Sequence, residues 1–275
     1  MPAPTIEGPQ LRSRPPAAAL RPYVSAYAGY RTPAGPRAVH QGVASGHLTF
    51  IVCLDGAVEV LANADPSRPP GTFTALVAGL HDGPAEIAAG EPQTGLQLQL
   101  TWRGARALLG LPAAELAGDT VDLAAVLGRR VGPLRERLAE LPDWSSRFDL
   151  LDAVLTRLAA DGPGEHGIRP EVGYAWDRLV ETGGTLRIDE LAREVGWSRR
   201  HLAGLFRAET GVAPKAAARL IRFEGALDRL RAPHRPSLAA VAAEAGYVDQ
   251  AHLSRDFRDL AGTTATEWLA ERALR

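Results

Sequence analysis

The side chains able to do chemistry fall into three groups. The first is arginine. Of the 31 basic residues only Lys215 is lysine, so any cationic task falls to a guanidinium. Its fixed fork of donors matches a phosphate or the O6 and N7 edge of guanine. Arginines cluster in two short segments, 199–207 and 255–258, with Gln250 ahead of the second. A carboxamide pairs with the N6 and N7 edge of adenine. The second group is histidine. His40, His47 and His81 fall in one strand-rich region, where imidazoles could hold a metal. They lack a close His-x-His spacing and a nearby acidic ligand, so no metal site is expected. The third is Cys53, the sole cysteine. It excludes an internal disulfide and a cysteine-ligated metal cluster. Between Val52 and Leu54 it reads as a buried, inert thiol. No catalytic set and no cofactor is expected.

The elements that must position these groups are set by a chain of 275 residues with a formal net charge of -1 and a 45% hydrophobic composition. That length allows two domains, and that composition excludes whole-chain disorder. No stretch approaches 18 uncharged apolar residues, so no membrane span is expected. Met1 to Pro22 has no apolar h-region, so no secretory signal is expected and the cytoplasm is the default compartment. The balanced charge argues against a surface coated in nucleic acid and leaves room for a local basic face.

The chain divides near residue 165. Residues 161–170 hold three glycines and two prolines, a linker composition. The predicted domains are 1–165, net -3, and 166–275, net +2. From Tyr23 to Trp102 apolar runs are short. Leu48 to Leu54, the turn Asp55-Gly56 and Val58 to Leu61 predict a hairpin. Gly95 to Trp102 alternates as a half-buried strand should. These features predict a small cupin-like β-barrel or sandwich over about 23–102, flanked by helices over about 105–160. Ala105 to Leu109 is a short helix closed by Gly110. Leu134, Leu138 and Leu141 form one helical stripe. Leu151, Val154, Leu155 and Leu158 form another beyond Pro142. Packing on the barrel and a dimer interface both fit these stripes. Leu134, Leu138, Leu151, Leu155 and Leu158 are the interface candidates, because apolar faces can bury each other across a two-fold axis.

The second part predicts an all-α unit. Ile188, Leu191, Ala192 and Val195 share one face, with Asp189-Glu190 in the first turn. Gly196 stops that helix. Ser198 is placed to cap a second, Arg199 to Thr210, whose inward face is Leu202, Leu205 and Phe206. This is a helix-turn-helix pattern. It returns. Val241-Ala242 and Ala245-Gly246-Tyr247 echo Leu191-Ala192 and Val195-Gly196-Trp197 at an offset of 50. After a turn one residue longer, His252-Leu253, Phe257-Arg258 and Gly262 echo His201-Leu202, Phe206-Arg207 and Gly211 at 51. Asp249 is placed to cap the second copy. Between the copies Pro214 opens a helix lined by Leu220, Phe223, Leu227 and Leu230, and Pro233 ends it.

Over Arg187 to Trp268 the sequence resembles the AraC/XylS family of bacterial transcription regulators. The motifs carrying the resemblance are those of the two copies, with Glu209-x-Gly211-x-x-Pro214, Arg222 and Ala226 between them. The resemblance implies a seven-helix domain whose two helix-turn-helix units meet successive major-groove faces of duplex DNA. It also implies an effector or dimerisation domain ahead of it. The sequence departs from the family at Ala265, Leu253, the run Ala216-Ala217-Ala218 and Gly204. With Ala203, Gly204 leaves the first recognition helix short of long side chains.

By face, Arg200, Gln250 and Arg255 are the candidate base readers. Ser198, Arg199, Arg207, Lys215 and Arg258 are the candidate backbone contacts, which position without specifying. His201 and His252 read as structural. Tyr30, Phe50, Cys53 and Trp102 are the candidate lining of an effector pocket, with core packing the competing reading. The expected protein is a sequence-specific DNA-binding regulator and not an enzyme. Its expected partners are duplex DNA, a small-molecule effector, a second copy of itself and RNA polymerase. The alternatives are a regulator controlled by a protein partner or by dimerisation alone, and a cupin-type enzyme carrying a DNA-binding domain.

Overall fold

A computed structural model describes residues 10–164, 166–232 and 236–273, with side chains up to residue 270. Pro233 and Glu165 lie outside the described residues. The strands are β1 (Gln10–Arg14), β2 (Val24–Thr32), β3 (Ala38–Gly42), β4 (Leu48–Asp55), β5 (Val58–Ala62), β6 (Gly71–Phe73), β7 (Ala75–Ala78), β8 (Ala85–Ala89), β9 (Gln93–Leu100) and β10 (Thr120–Asp122). They form a six-stranded sheet, β1-β2-β9-β4-β7-β10, and a four-stranded sheet, β3-β8-β5-β6. Each order is linear and ends in two edge strands, so neither sheet closes. The expected cupin-like barrel is therefore not formed.

The reason lies in β4. Leu48, Phe50 and Val52 join the main core, whereas Ile51 and Cys53 face the four-stranded sheet with Val58, Val60 and Ile87. Side chains alternate along a strand. A run apolar on both faces needs a layer on each side, which a stack of sheet, sheet and helices supplies. The Asp55-Gly56 turn is real, with Gly56 at φ +75°. It carries the chain from one sheet to the other, so β4 and β5 do not form the expected hairpin.

The helices of the first part are α1 (Trp102–Gly104), α2 (Leu123–Leu127), α3 (Val131–Glu140) and α4 (Trp144–Asp161). A widened turn over Ala105–Leu109 follows α1 and ends on Gly110 at φ +78°. A 3-10 turn covers Ala113–Leu116. Pro142 separates α3 from α4, and the Asp143 carboxylate caps α4 by accepting from the Ser146 N–H at 2.9 Å. The leucine stripes face the sheet. Leu134, Leu138, Leu151 and Leu155 are buried in the main core of the single chain, and Leu158 packs half-buried against it.

Among the described residues seven helices follow: α5 (Pro170–Glu181), α6 (Ile188–Glu194), α7 (Arg199–Thr210), α8 (Pro214–Leu230), α9 (Leu238–Glu244), α10 (Gln250–Ala261) and α11 (Ala265–Ala273). The core does not stop at the linker. One apolar cluster runs from β2, β4 and β9 through α4 to α5, α6, α7 and the start of α8. A second joins Ala44 of the first part to the rest of α8, α9, α10 and α11.

Candidate nucleic-acid interface

Two helix-turn-helix units are built alike. The Ser198 hydroxyl accepts from the His201 N–H at 3.2 Å, and the Asp249 carboxylate from the His252 N–H at 2.7 Å. Each cap satisfies an N–H that the first helical turn leaves unpaired. The second helix of each unit ends on a left-handed glycine, Gly211 at φ +86° and Gly262 at φ +65°. The histidines do the same work in both copies. His201 meets Trp197 edge to face at 4.8 Å between ring centres, and His252 meets Tyr247 at 5.0 Å.

With Leu202, Phe206, Leu253 and Phe257 buried, the opposite faces point to solvent. Arg200 and Arg207 on α7, and Gln250 and Arg255 on α10, are all exposed. Arg200, Arg207 and Arg255 make no ion pair among the described residues, so their donors are available to a ligand. Arg199 is exposed but tied at 2.9 Å to Asp189 on α6. Lys215 stands exposed on the first turn of α8, and Arg258 near the end of α10. A shallow depression lined by Ser198, Arg200, His201, Gly204 and Leu205 marks where the α7 face lacks a side chain.

The four candidate pocket residues do not come together. Phe50 and Trp102 belong to the main core, whereas Cys53 points to the opposite face of β4. Tyr30 lies beside Cys53, and burial pushes both groups up from their ordinary acidity. The histidines are dispersed as well. His47 pairs with Glu224, and His81 lies half-buried against the Gly83 carbonyl. Among the described residues no group of three or more His, Cys, Asp or Glu could hold a metal ion. Among the described residues no helix is long and apolar enough to cross a membrane.

Sequence reasoning missed the residues that couple the two parts. Arg106 grips Glu209 of α7 with two hydrogen bonds, 2.8 and 2.7 Å, and Arg103 grips Asp177 of α5 at 3.0 and 2.9 Å. Trp176 of α5 bridges Trp102 and Phe206, at 5.9 and 5.7 Å between ring centres. Glu209 carried a signal, since it falls seven residues after Leu202 and three after Phe206, on the buried stripe. Near the second unit, Glu224 of α8 accepts from Ser45 Oγ at 2.6 Å and the Gly46 N–H at 2.9 Å, and His47 Nδ1 lies 3.0 Å away. The Ala44 N–H donates to the Leu260 carbonyl at 2.8 Å.

Burial pushes the Glu224 carboxyl up, but His47, Ser45 and the Gly46 N–H outweigh it and hold the group below its ordinary 4.5. Its contribution to stability is complete above that value and is lost as pH falls through the folded one. Glu224→Gln is expected to flatten the fall in stability below about pH 4.5, read as the urea midpoint against pH.

Residues 191–271 match the family model described as a helix-turn-helix domain. That match falls on the two-unit motif set. Residues 191–271 carry a helix-turn-helix domain of the kind that the AraC/XylS resemblance implies. The match and the paired helix-turn-helix units support a DNA-binding transcriptional regulator. In fold, the chain is similar to ToxT from Vibrio cholerae. One ToxT crystal structure is 9% identical, with 96% of this chain and 98% of that one covered and a TM-score of 0.53. Wild-type ToxT from the same organism with unsaturated fatty acid bound is 12% identical, with 93% and 96% covered and a TM-score of 0.53. A search of curated proteins finds no match.

Proposed function

We propose that this protein is a sequence-specific regulator that reads duplex DNA with α7 and α10. Residues 166–275 form its DNA-binding domain, and residues 1–165 its effector and dimerisation domain. The observation that carries the reading is the pair of capped helices presenting unpaired arginines on exposed faces. Arg200, Gln250 and Arg255 read bases. Ser198, Arg207, Lys215 and Arg258 hold phosphates, joined by Arg199 once it leaves Asp189. The setting is the cytoplasm, where RNA polymerase is the partner that transcriptional control requires.

A small molecule acting on the first part is the second element. ToxT binds an unsaturated fatty acid, which makes that class the first probe here. Calorimetry of the full chain with an unsaturated fatty acid tests it, and absence of heat across that class would sink it. A homodimer would tether two such domains at paired half-sites and raise the effective concentration of the second. Sedimentation at tens of micromolar measures it, and a monomer there rules it out.

The division of labour has its own test. Arg255→Ala is expected to cost about 1–3 kcal/mol on the preferred duplex and to relax one base position. Lys215→Ala should weaken all duplexes by about the same factor. Equal losses for Arg255→Ala on specific and random DNA would remove it from the base readers. Binding of every variant should fall steeply with salt, because phosphate contacts dominate affinity.

A further inference from the structure

The two helix-turn-helix copies differ in length by one residue, and the structure identifies it. Both first helices close in the same way. The Trp197 N–H donates to the Ala192 carbonyl and the Tyr247 N–H to the Ala242 carbonyl, each at 2.9 Å. A left-handed glycine precedes each aromatic, Gly196 at φ +71° and Gly246 at φ +77°. In the first copy the cap, Ser198, follows its aromatic directly. In the second, Val248 stands between Tyr247 and the cap, Asp249. Val248 is the inserted residue. At 88% exposure it is the most exposed large apolar side chain among the described residues.

A single exposed apolar side chain is ordinary and by itself assigns nothing. Its place is what matters. In a docked helix-turn-helix the N-terminal end of the second helix is the end that reaches base edges in the major groove. Val248 sits one residue ahead of the cap, at the end of α10 where Gln250 and Ala251 are also exposed. A branched alkyl group there can neither pair with a base by hydrogen bonding nor neutralise a phosphate. The major-groove feature that fits it is the C5-methyl of thymine.

Resting on the DNA-binding reading above, we propose that Val248 is a specificity-determining residue that reads a thymine methyl beside the base read by Gln250. The first copy has no counterpart, so the preference belongs to one half of the site. The full-length protein first selects its preferred duplex from a random pool. Each thymine of that duplex is then replaced by uracil, which removes only the methyl. At one position the wild type is expected to lose about fourfold in affinity, the effect of withdrawing one methyl from an apolar contact. Val248→Ser should bind the thymine duplex about as weakly as the wild type binds the uracil one, and should not tell the two apart there. An unchanged melting temperature confirms that the variant is folded. Equal uracil penalties in wild type and Val248→Ser at every position overturn the inference. Wild-type affinity in Val248→Asp also overturns it and leaves the side chain facing a protein partner instead. If the wild type enriches no sequence at all, the DNA-binding reading itself fails and takes this inference with it.

Discussion

Leu151→Glu is expected to unfold the protein rather than release a folded monomer. Leu151 is fully buried on α4, in the cluster that holds Leu138, Phe148 and Leu155. A carboxylate placed there loses its hydration, at an effective cost of several kcal/mol. The arginine that reaches α4, Arg14, is already engaged by Asp149 and Asp152. The loss of leucine burial adds about 1.5–3 kcal/mol. Together these approach the whole stability of a domain, about 5–15 kcal/mol. Leu151→Ala should cost about 2–5 kcal/mol and stay folded. Urea unfolding of the two variants decides. A Leu151→Glu chain that is monomeric and melts like the parent would return the leucine stripe to an interface between copies.

Arg106→Ala should cost about 3–5 kcal/mol, because it strands the Glu209 carboxylate in a buried place. The two side chains are 20% and 12% exposed, so solvent can do little to replace the lost partner. Glu209→Ala is expected to cost less than Arg106→Ala, since the guanidinium left behind is the more exposed of the two. The double variant should recover part of the loss, and the coupling between the two changes is the quantity that reports a direct contact. Additive losses in the double-mutant cycle would show that the pair does not stabilise the join between α7 and the first part.

The two-unit domain was legible because its signals are local. Ser198 and Asp249 cap helices a few residues away, and Gly211 and Gly262 end them, so each can be read within one turn. Duplication gave each signal a second appearance. Pro142 between α3 and α4 was legible for the same reason. The architecture of the first part was not, because strand runs carry no record of which sheet they join. Leu48 to Leu54 reads alike in a barrel and in a sandwiched sheet. Val58 to Leu61 reads as a hairpin partner although β5 pairs with β6 and β8. The stripe on α4 tells that one face is apolar and says nothing of what covers it. Phe50 and Cys53, three residues apart on one strand, had to fall on opposite faces, and that parity argues against a shared pocket even before the fold is known. The contacts of Arg103, Arg106 and Glu224 span long stretches of chain, beyond the reach of any local pattern.

The glycines that end the recognition helices have company. A Cβ on Gly211 would lie 2.5 Å from the Ala117 Cβ, and one on Gly262 would lie 2.8 Å from Gln41 Oε1. Both α7 and α10 therefore finish against the first part of the chain, one on the loop after a 3-10 turn and the other on a sheet edge. Successive turns of a duplex present the same groove about 34 Å apart. If α7 and α10 enter successive grooves, as proposed above, their separation has to match that repeat, and β3 and the 113–117 turn bear on it as well as α8. The first part is thus a ruler laid alongside the connecting helix, and a change of its length at either end would move the pair out of phase with the DNA.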